Sequence, residues 1–274
     1  FESLVKKTLG TNNKSILKIY LKDSDLNDLK ERRASDDKIK MEEIFDIEVL
    51  EKLLPHYKFY NERGITDDTL KFFRGGFATY GQMYKRFVFP IFNQHNQIHG
   101  FAGRDMISRD NRPKWKHIGR KSNWIYPAYL KDRNGTLIAD IISETGKVIL
   151  VESIGDLLAL YEQGIKNVLV TFGLDVSPSL ICFLSGASVS KMVLAFNNDS
   201  TKEENRGLNA CIKNYLKLLG HFDAGMVQIC LPTANDFGDM DDDDFAVWKK
   251  KHRDLDGQVQ QEQVRKTAQL LFKK

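Results

Sequence analysis

The residues of this chain best able to do chemistry are carboxylates placed where apolar runs stop. Val148-Ile149-Leu150-Val151 runs straight into Glu152-Ser153-Ile154-Gly155-Asp156, and Met192-Val193-Leu194-Ala195-Phe196 runs into Asn197-Asn198-Asp199. The apolar segment Met226 to Leu231 is followed by Asn235-Asp236-Phe237-Gly238-Asp239. In open α/β sheets the carboxyl ends of parallel strands are where ligands sit. Acids gathered from three strand ends repel one another unless a cation joins them, and Mg²⁺ or Mn²⁺ takes oxygen ligands. The pattern therefore suggests one hard-metal site, and such an ion beside a basic surface suits phosphoryl or nucleotidyl transfer. Each group alone also fits a plainer role: Asp156 as a complement to a helix N-terminus, Asn198 and Asp199 as a turn or cap.

Competing chemistries have little support. No local Ser-His-Asp or Cys-His signature is present. His95 and His99 are four apart, but Gly100 and the surrounding strand pattern oppose the helix that this spacing would need. Cys182, Cys211 and Cys230 each lie in an apolar segment without C-x-x-C spacing, which reads as buried thiols rather than a disulfide framework or zinc site.

The elements that must hold these acids follow from periodicity. From Ile142 onward short apolar runs alternate with helix-length segments. Strands are expected near 147–151, 167–171, 191–197 and 225–231, with helices near 154–163, 177–185 and 205–220. Such alternation predicts an α/β fold, a mostly parallel sheet with covering helices. Asp241 to Asp244 would open another helix with acids at its favourable end, leading into Phe245-Ala246-Val247-Trp248.

Upstream the pattern is mixed α+β and basic. Ile47, Leu50 and Leu54 share a helical face that Pro55 should end, and Thr66-Asp67-Asp68-Thr69-Leu70 looks like a capped helix start. Arg86 to Phe92 and Gln97 to Arg104 flank four polar residues, a β-hairpin signal, and segments 114–117 and 123–126 would add short strands or loops. The divisions expected are a polar lead-in over 1–45, a basic subdomain over 46–141, the parallel-sheet domain over 142–245 and a helical segment over 246–274.

With 41 Lys and Arg against 37 Asp and Glu, the net charge is only +4. Its distribution says more: basic residues concentrate from Lys85 to Lys131 and acidic ones from Asp199 to Asp244, as suits a polyanion held near a metal. A solvated surface explains the same charges. No apolar run is long enough to cross a bilayer and the first residues lack a signal-peptide core, so the expectation is a soluble, cytoplasmic chain without membrane contact. The absence of Met at position 1 points to a longer parent.

Taken together, these motifs resemble the acidic motifs of the TOPRIM domain, shared by bacterial-type DNA primases, type IA and II topoisomerases and some nucleases. The matching residues are Val151-Glu152-Ser153-Ile154-Gly155-Asp156, then Phe196-Asn197-Asn198-Asp199 with Gly207, then Asn235-Asp236 with Asp239, with Val170-Thr171-Phe172-Gly173 as a strand-ending turn. Tyr60 to Ile65, Phe89-Pro90-Ile91, Gly100 to Arg104 and Pro113-Lys114-Trp115 are similar, in order, to the basic subdomain of DnaG-type primases, the RNA polymerase core.

The resemblance, over about residues 50–240, implies primer synthesis on a single-stranded DNA template from ribonucleoside triphosphates with Mg²⁺ or Mn²⁺, and a replicative helicase as a further partner. It implies Glu152 as metal ligand or general base, Asp199 and Asp236 as metal ligands, and Asp156 and Asp239 in support. Arg86, Arg104, Lys114 and Lys116 would bind template or nucleotide phosphates, with Trp115 stacking on a base. A solvated hairpin face and ordinary packing are the plainer alternatives for these five. Ser153 stands for the usual Gly, Asn197 for a usual carboxylate, and Thr201 to Asn205 reads as an insertion. The family's zinc-binding domain has no counterpart in this sequence. A TOPRIM nuclease is the runner-up, and a non-catalytic single-strand-binding replisome module remains open because of Asn197.

Overall fold

The computed structural model describes residues 43–107, 112–132 and 134–254, all within one compact unit. Most of the expected lead-in and the end of the closing helical segment thus lie outside the described residues. No described helix is long and apolar enough to cross a membrane.

The hairpin pattern becomes the centre of an antiparallel sheet. β1 (Gly76–Ala78), β2 (Arg86–Phe92), β3 (Ile98–Asp105) and β4 (Trp115–Gly119) lie side by side in that order. The turn is closed by Asn93, whose Oδ1 accepts from the backbone N–H groups of His95 and Gln97 at 2.9 and 3.0 Å. Pro90 cannot donate to a ladder. It stands beyond the Gly76–Val88 pair, where β1 has already ended.

β5 (Lys147–Val151), β6 (Val168–Val170), β7 (Lys191–Leu194) and β8 (Val227–Ile229) form a parallel sheet in the order β6-β5-β7-β8. The crossovers run through α4 (Ile154–Glu162), α5 (Pro178–Gly186) and α6 (Arg206–Leu218), as parallel neighbours require. Because β6 lies on one side of β5 and β7 on the other, the loops leaving β5 and β7 diverge and open a crevice at their carboxyl ends.

Alternation along the strands divides the core. Ile149, Val151, Val193 and Ala195 pack with α4, with Phe245 and Trp248 of α7 (Asp242–Asp254), and with Phe87 and Phe89 of the antiparallel sheet. Val148, Leu150, Met192 and Leu194 pack instead with Leu180 and Leu184 of α5, Tyr215 of α6, and Ile138 and Ile142 of α3 (Ile138–Thr145). The expected division at 141/142 falls inside α3, which packs under the parallel sheet.

The two layers are joined by specific contacts. α1 (Lys58–Asn61) leads to α2 (Asp67–Phe72), and Thr66 caps α2 by accepting from the Thr69 N–H. Glu162 at the end of α4 accepts from the Thr66 N–H at 2.7 Å and from its hydroxyl at 2.9 Å. Phe72 stacks on Tyr161 at 4.9 Å.

Several boundaries differ from expectation. The face shared by Ile47, Leu50 and Leu54 is not an α-helix: Ile47–Lys52 is a 3-10 helix with no buried residue, and Leu54 bridges Phe77 instead. β7 stops at Leu194, since the chain turns aside to let the Asn198 N–H donate to the Asn235 carbonyl at 2.7 Å. β8 starts only at Val227 because Ala224–Met226 is a 3-10 turn. Residues 123–126 add no strand to the first sheet; Lys121–Asn123 is a 3-10 turn, after which Tyr126 bridges Val170 of β6.

Candidate functional site

At the carboxyl end of β5 the chain enters α4 through Ser153, and this turn is closed by Asp156. One Asp156 oxygen, Oδ2, accepts from the Ser153 hydroxyl at 2.7 Å and from its N–H at 3.1 Å. The other, Oδ1, accepts from the Phe237 N–H at 3.2 Å. Asp156 is 2% exposed. Burial pushes its carboxyl up to about 7, with Asp236 adding to the effect and the Ser153 and Phe237 donors opposing it. With both oxygens engaged, Asp156 joins the β5 turn to the Asp236 turn rather than presenting itself as a ligand. Its place is beside the ligand positions, holding two of the turns that carry them.

Glu152 is only partly buried at the mouth of the crevice. Burial raises its pKa first and Asp199 next, while Lys114 and Arg206 lower it and Asp236 raises it slightly. Asp236 caps the 3-10 turn Phe237–Asp239, its Oδ1 accepting from the Asp239 N–H at 3.0 Å. Its pKa is raised by burial and then by Asp239, with Lys114 opposing. Asp239 is exposed.

The β7 turn is pinned by amides. Asn205 caps α6 by accepting from the Leu208 N–H, accepts also from the Asp199 N–H, and donates to Asn198 Oδ1 at 2.9 Å. Asn198 Nδ2 in turn donates to the Pro232 carbonyl at 3.0 Å. Gly207 lies so close to the Asn197 carbonyl that an added Cβ would meet that oxygen at 1.7 Å. Only glycine allows α6 to approach the strand end this closely. Asp199 is 8% exposed, and its Oδ1 accepts from the Lys202 ammonium.

Strand ends far apart in sequence therefore bring Glu152, Asp199 and Asp236 into one electrostatic neighbourhood. Two of its cations were not singled out in the sequence, Lys202 and Arg206. Arg206 did leave a signal: a cation in the first turn of a helix opposes the macrodipole and calls for a compensating anion.

The expected basic residues do not form one surface. Lys114, just before β4, is exposed and reaches the field of Glu152 and Asp236. Arg104 and Trp115 are cross-strand partners, and the Arg104 guanidinium lies 5.0 Å from the Phe59 ring and 5.9 Å from the Trp115 ring. Lys116 follows Trp115 on the strand and so points to the other face, where its Nζ donates to the Gln82 carbonyl at 2.9 Å. Arg86 is 2% exposed; its Nη1 donates to the carbonyls of Gly103 and Pro113, and Asp105 lies 4.0 Å away. Arg86 is a structural cation of the sheet, not the phosphate contact expected of it.

The whole arrangement has known counterparts among solved structures. The RNA polymerase domain of Mycobacterium tuberculosis primase DnaG superposes with a TM-score of 0.55 over 72% of this chain and 74% of that one, at 15% identity. A DNA primase domain from Pseudomonas aeruginosa gives 0.58 over 71% and 70%, at 19% identity. The fold is that of a DnaG-type primase catalytic core. The DnaG primase catalytic domain bound to single-stranded DNA gives 0.58 over 72% and 71%, at 17% identity.

Sequence similarity to primases is lower in coverage. The DNA primase of Lactococcus lactis is 26% identical over 204 residues, 63% of this chain and 31% of that protein. Those of Borreliella burgdorferi and Helicobacter pylori are 27% and 28% identical over 155 and 144 residues. The match thus spans less than a third of these relatives. No family model matches the sequence.

Within this primase-core fold the donor set suits a hard divalent ion. Three carboxylates share the crevice, and the Asn197 side-chain oxygen is buried without a hydrogen-bond partner. Among the described residues, however, no three His, Cys, Asp or Glu side chains stand as a ready metal cage. Asp156 is engaged, Asp199 is turned to Lys202 and Asp239 faces outward.

Proposed function

We propose that this chain is the catalytic core of a DNA primase, extending short RNA primers on single-stranded DNA from ribonucleoside triphosphates. The supporting observation is the convergence of Glu152, Asp199 and Asp236 at the switch point of a DnaG-like sheet, with Lys114 reaching in from the basic layer. In this reading the residues expected at 46–141 form the template-side subdomain and those at 142–245 the TOPRIM domain, with the whole of α3 counted in the second.

Glu152, Asp199 and Asp236 would hold Mg²⁺ or Mn²⁺, with Asn197 offering a neutral oxygen. The ion, when bound, offsets phosphate charge and orients the attacking oxygen. Glu152 has the second task of receiving the proton of the primer 3′-hydroxyl. Lys114 and Arg206 draw the triphosphate into the crevice and neutralise the departing pyrophosphate. Asp156 keeps the β5 and Asp236 turns in register. Arg104 and Trp115 form a cation-and-ring platform suited to a template base or its phosphate. Lys116, although it lies on the opposite face, is assigned to a more distant part of the strand.

The test is incubation with single-stranded DNA, labelled ribonucleotides and Mg²⁺ or Mn²⁺. Metal-dependent oligoribonucleotides are expected from the wild type and none from Glu152→Gln. Full primer synthesis by that variant would overturn the site, and shortened DNA without primers would replace the reading with a nuclease.

A further inference from the structure

A second cluster of like charges lies at the other end of the parallel sheet. Lys147 and Lys191 begin β5 and β7 and are register partners on these neighbouring strands. Paired residues on adjacent strands point to the same face, and the strands run about 4.8 Å apart. Ile149, Val151, Val193 and Ala195 follow in the same alternation and pack beneath α4 and α7. Both lysines therefore stand at the rim of that face.

His252 of α7 completes the cluster. Its ring stacks on Trp248 at 5.1 Å, and Trp248 is anchored by its Nε1 donating to the Cys230 carbonyl at 3.1 Å. The His252 Nδ1 is buried without a hydrogen-bond partner. Burial lowers the His252 pKa first, with Lys191 and Lys147 next, so both ammonium groups act on this ring. Lys251 adds a further positive charge, felt together with Lys191 at Cys230.

Nothing described neutralises these groups. Among the described residues no carboxylate forms an ion pair with Lys147, Lys191 or Lys251. No carboxylate figures among the groups that act on Lys191 or His252. Like charges placed directly opposite each other destabilise a sheet unless an ion of the other sign joins them. Two ammonium groups side by side match the needs of a tetrahedral oxyanion, and the His252 ring behind them feels the charge placed there.

We propose that the amino-terminal edge of the parallel sheet is a phosphate-binding site, formed by Lys147 and Lys191 with His252 behind them and Lys251 at the rim. Its ligand is a phosphate group, either of a nucleic-acid strand or of a free polyphosphate. The site is separate from the acidic crevice, since β5 spans five residues between them, about 16 Å at roughly 3.3 Å per residue. It does not depend on the catalytic reading.

Two measurements on the full chain in EDTA test it, each on the wild type and on the double variant Lys147→Gln, Lys191→Gln. Sodium pyrophosphate is titrated while the His252 ring resonance is followed, and a fluorescein-labelled dT12 strand is titrated by anisotropy at several salt concentrations. A nucleic-acid site predicts a wild-type His252 shift with the strand, roughly tenfold weaker strand binding in the variant, and a salt slope smaller by about 1.4, from two lost contacts at about 0.7 each. A free-polyphosphate site predicts a His252 shift with pyrophosphate that the variant loses, with strand binding unchanged. If neither ligand moves His252 and the variant binds the strand like the wild type, the proposal is overturned.

Discussion

The two edges of the parallel sheet are built alike and charged oppositely. At the carboxyl edge Glu152, Asp199 and Asp236 lie in one another's field, with raised pKa values at two of the three, and at the amino edge burial depresses His252 first, with Lys191 and Lys147 adding to it. The acidic edge is partly neutralised from within, by Lys202, Arg206 and Lys114. The basic edge receives no such help among the described residues. The first edge is thus balanced in part within the chain, and the second leaves its charge for a ligand to balance.

The largest effect that would sharpen this contrast is expected from Glu152→Gln. Removing one of the mutually repelling acids should abolish primer synthesis, by at least about 100-fold, the scale of losing a catalytic base. The metal-free protein should nevertheless melt at the same temperature or higher. A fall in melting temperature would mean that Glu152 stabilises the fold and does not crowd the site.

Next comes Gly207→Ala. The 1.7 Å approach to the Asn197 carbonyl cannot be relieved by a rotamer change, so α6 must move. A loss of about 3 kcal/mol or more is expected in urea unfolding, at the upper end of overpacking costs. Stability within about 1 kcal/mol of wild type would show that the acidic edge is looser than described.

A smaller effect is expected from Lys202→Gln. Freed of its tethered cation, Asp199 should bind Mn²⁺ a few-fold more tightly, as read by electron paramagnetic resonance, because an exposed pair is worth only about 1 kcal/mol or less. Unchanged Mn²⁺ affinity would remove Lys202 from the account of that edge.

The smallest effect separates the edges by pH. His252 is depressed in the folded state, so it contributes stability above its unfolded pKa of about 6.5, lost as pH falls towards the folded value. His117, pushed down to about 4 by burial and then by Lys121, acts in the same direction. Asp156, held up at about 7, gains stability over the same window and opposes them, so the expected outcome is a difference. On going from pH 7 to pH 5 the urea midpoint of His252→Gln should fall less, or rise more, than that of wild type, and adding His117→Gln should widen the gap. If the double variant follows the wild-type pH profile, neither imidazole carries acid sensitivity.

Much of the acidic edge was legible because each signal is local. An apolar run that stops at a carboxylate marks both the strand and its end, and three such runs in order predict which groups converge. Arg86 was misread for the opposite reason. Its place in a basic, aromatic hairpin suggests a nucleic-acid contact, but only the fold brings the carbonyls of Gly103 and Pro113 around its guanidinium. Trp115 and Lys116 are adjacent in sequence, yet strand alternation sends them to opposite faces.

The sequence by itself determined the parallel α/β layer, the hairpin, the Thr66 cap and the acids at the strand ends, because period, caps and turn residues act over a few positions. Tertiary structure alone decided that the Phe237 N–H reaches the second oxygen of Asp156, that Lys114 enters the field of Glu152 and Asp236, and that Lys147 comes to lie beside Lys191. Those outcomes depend on strand order and register, which are set by the summed packing of both core layers and not by any local stretch of chain.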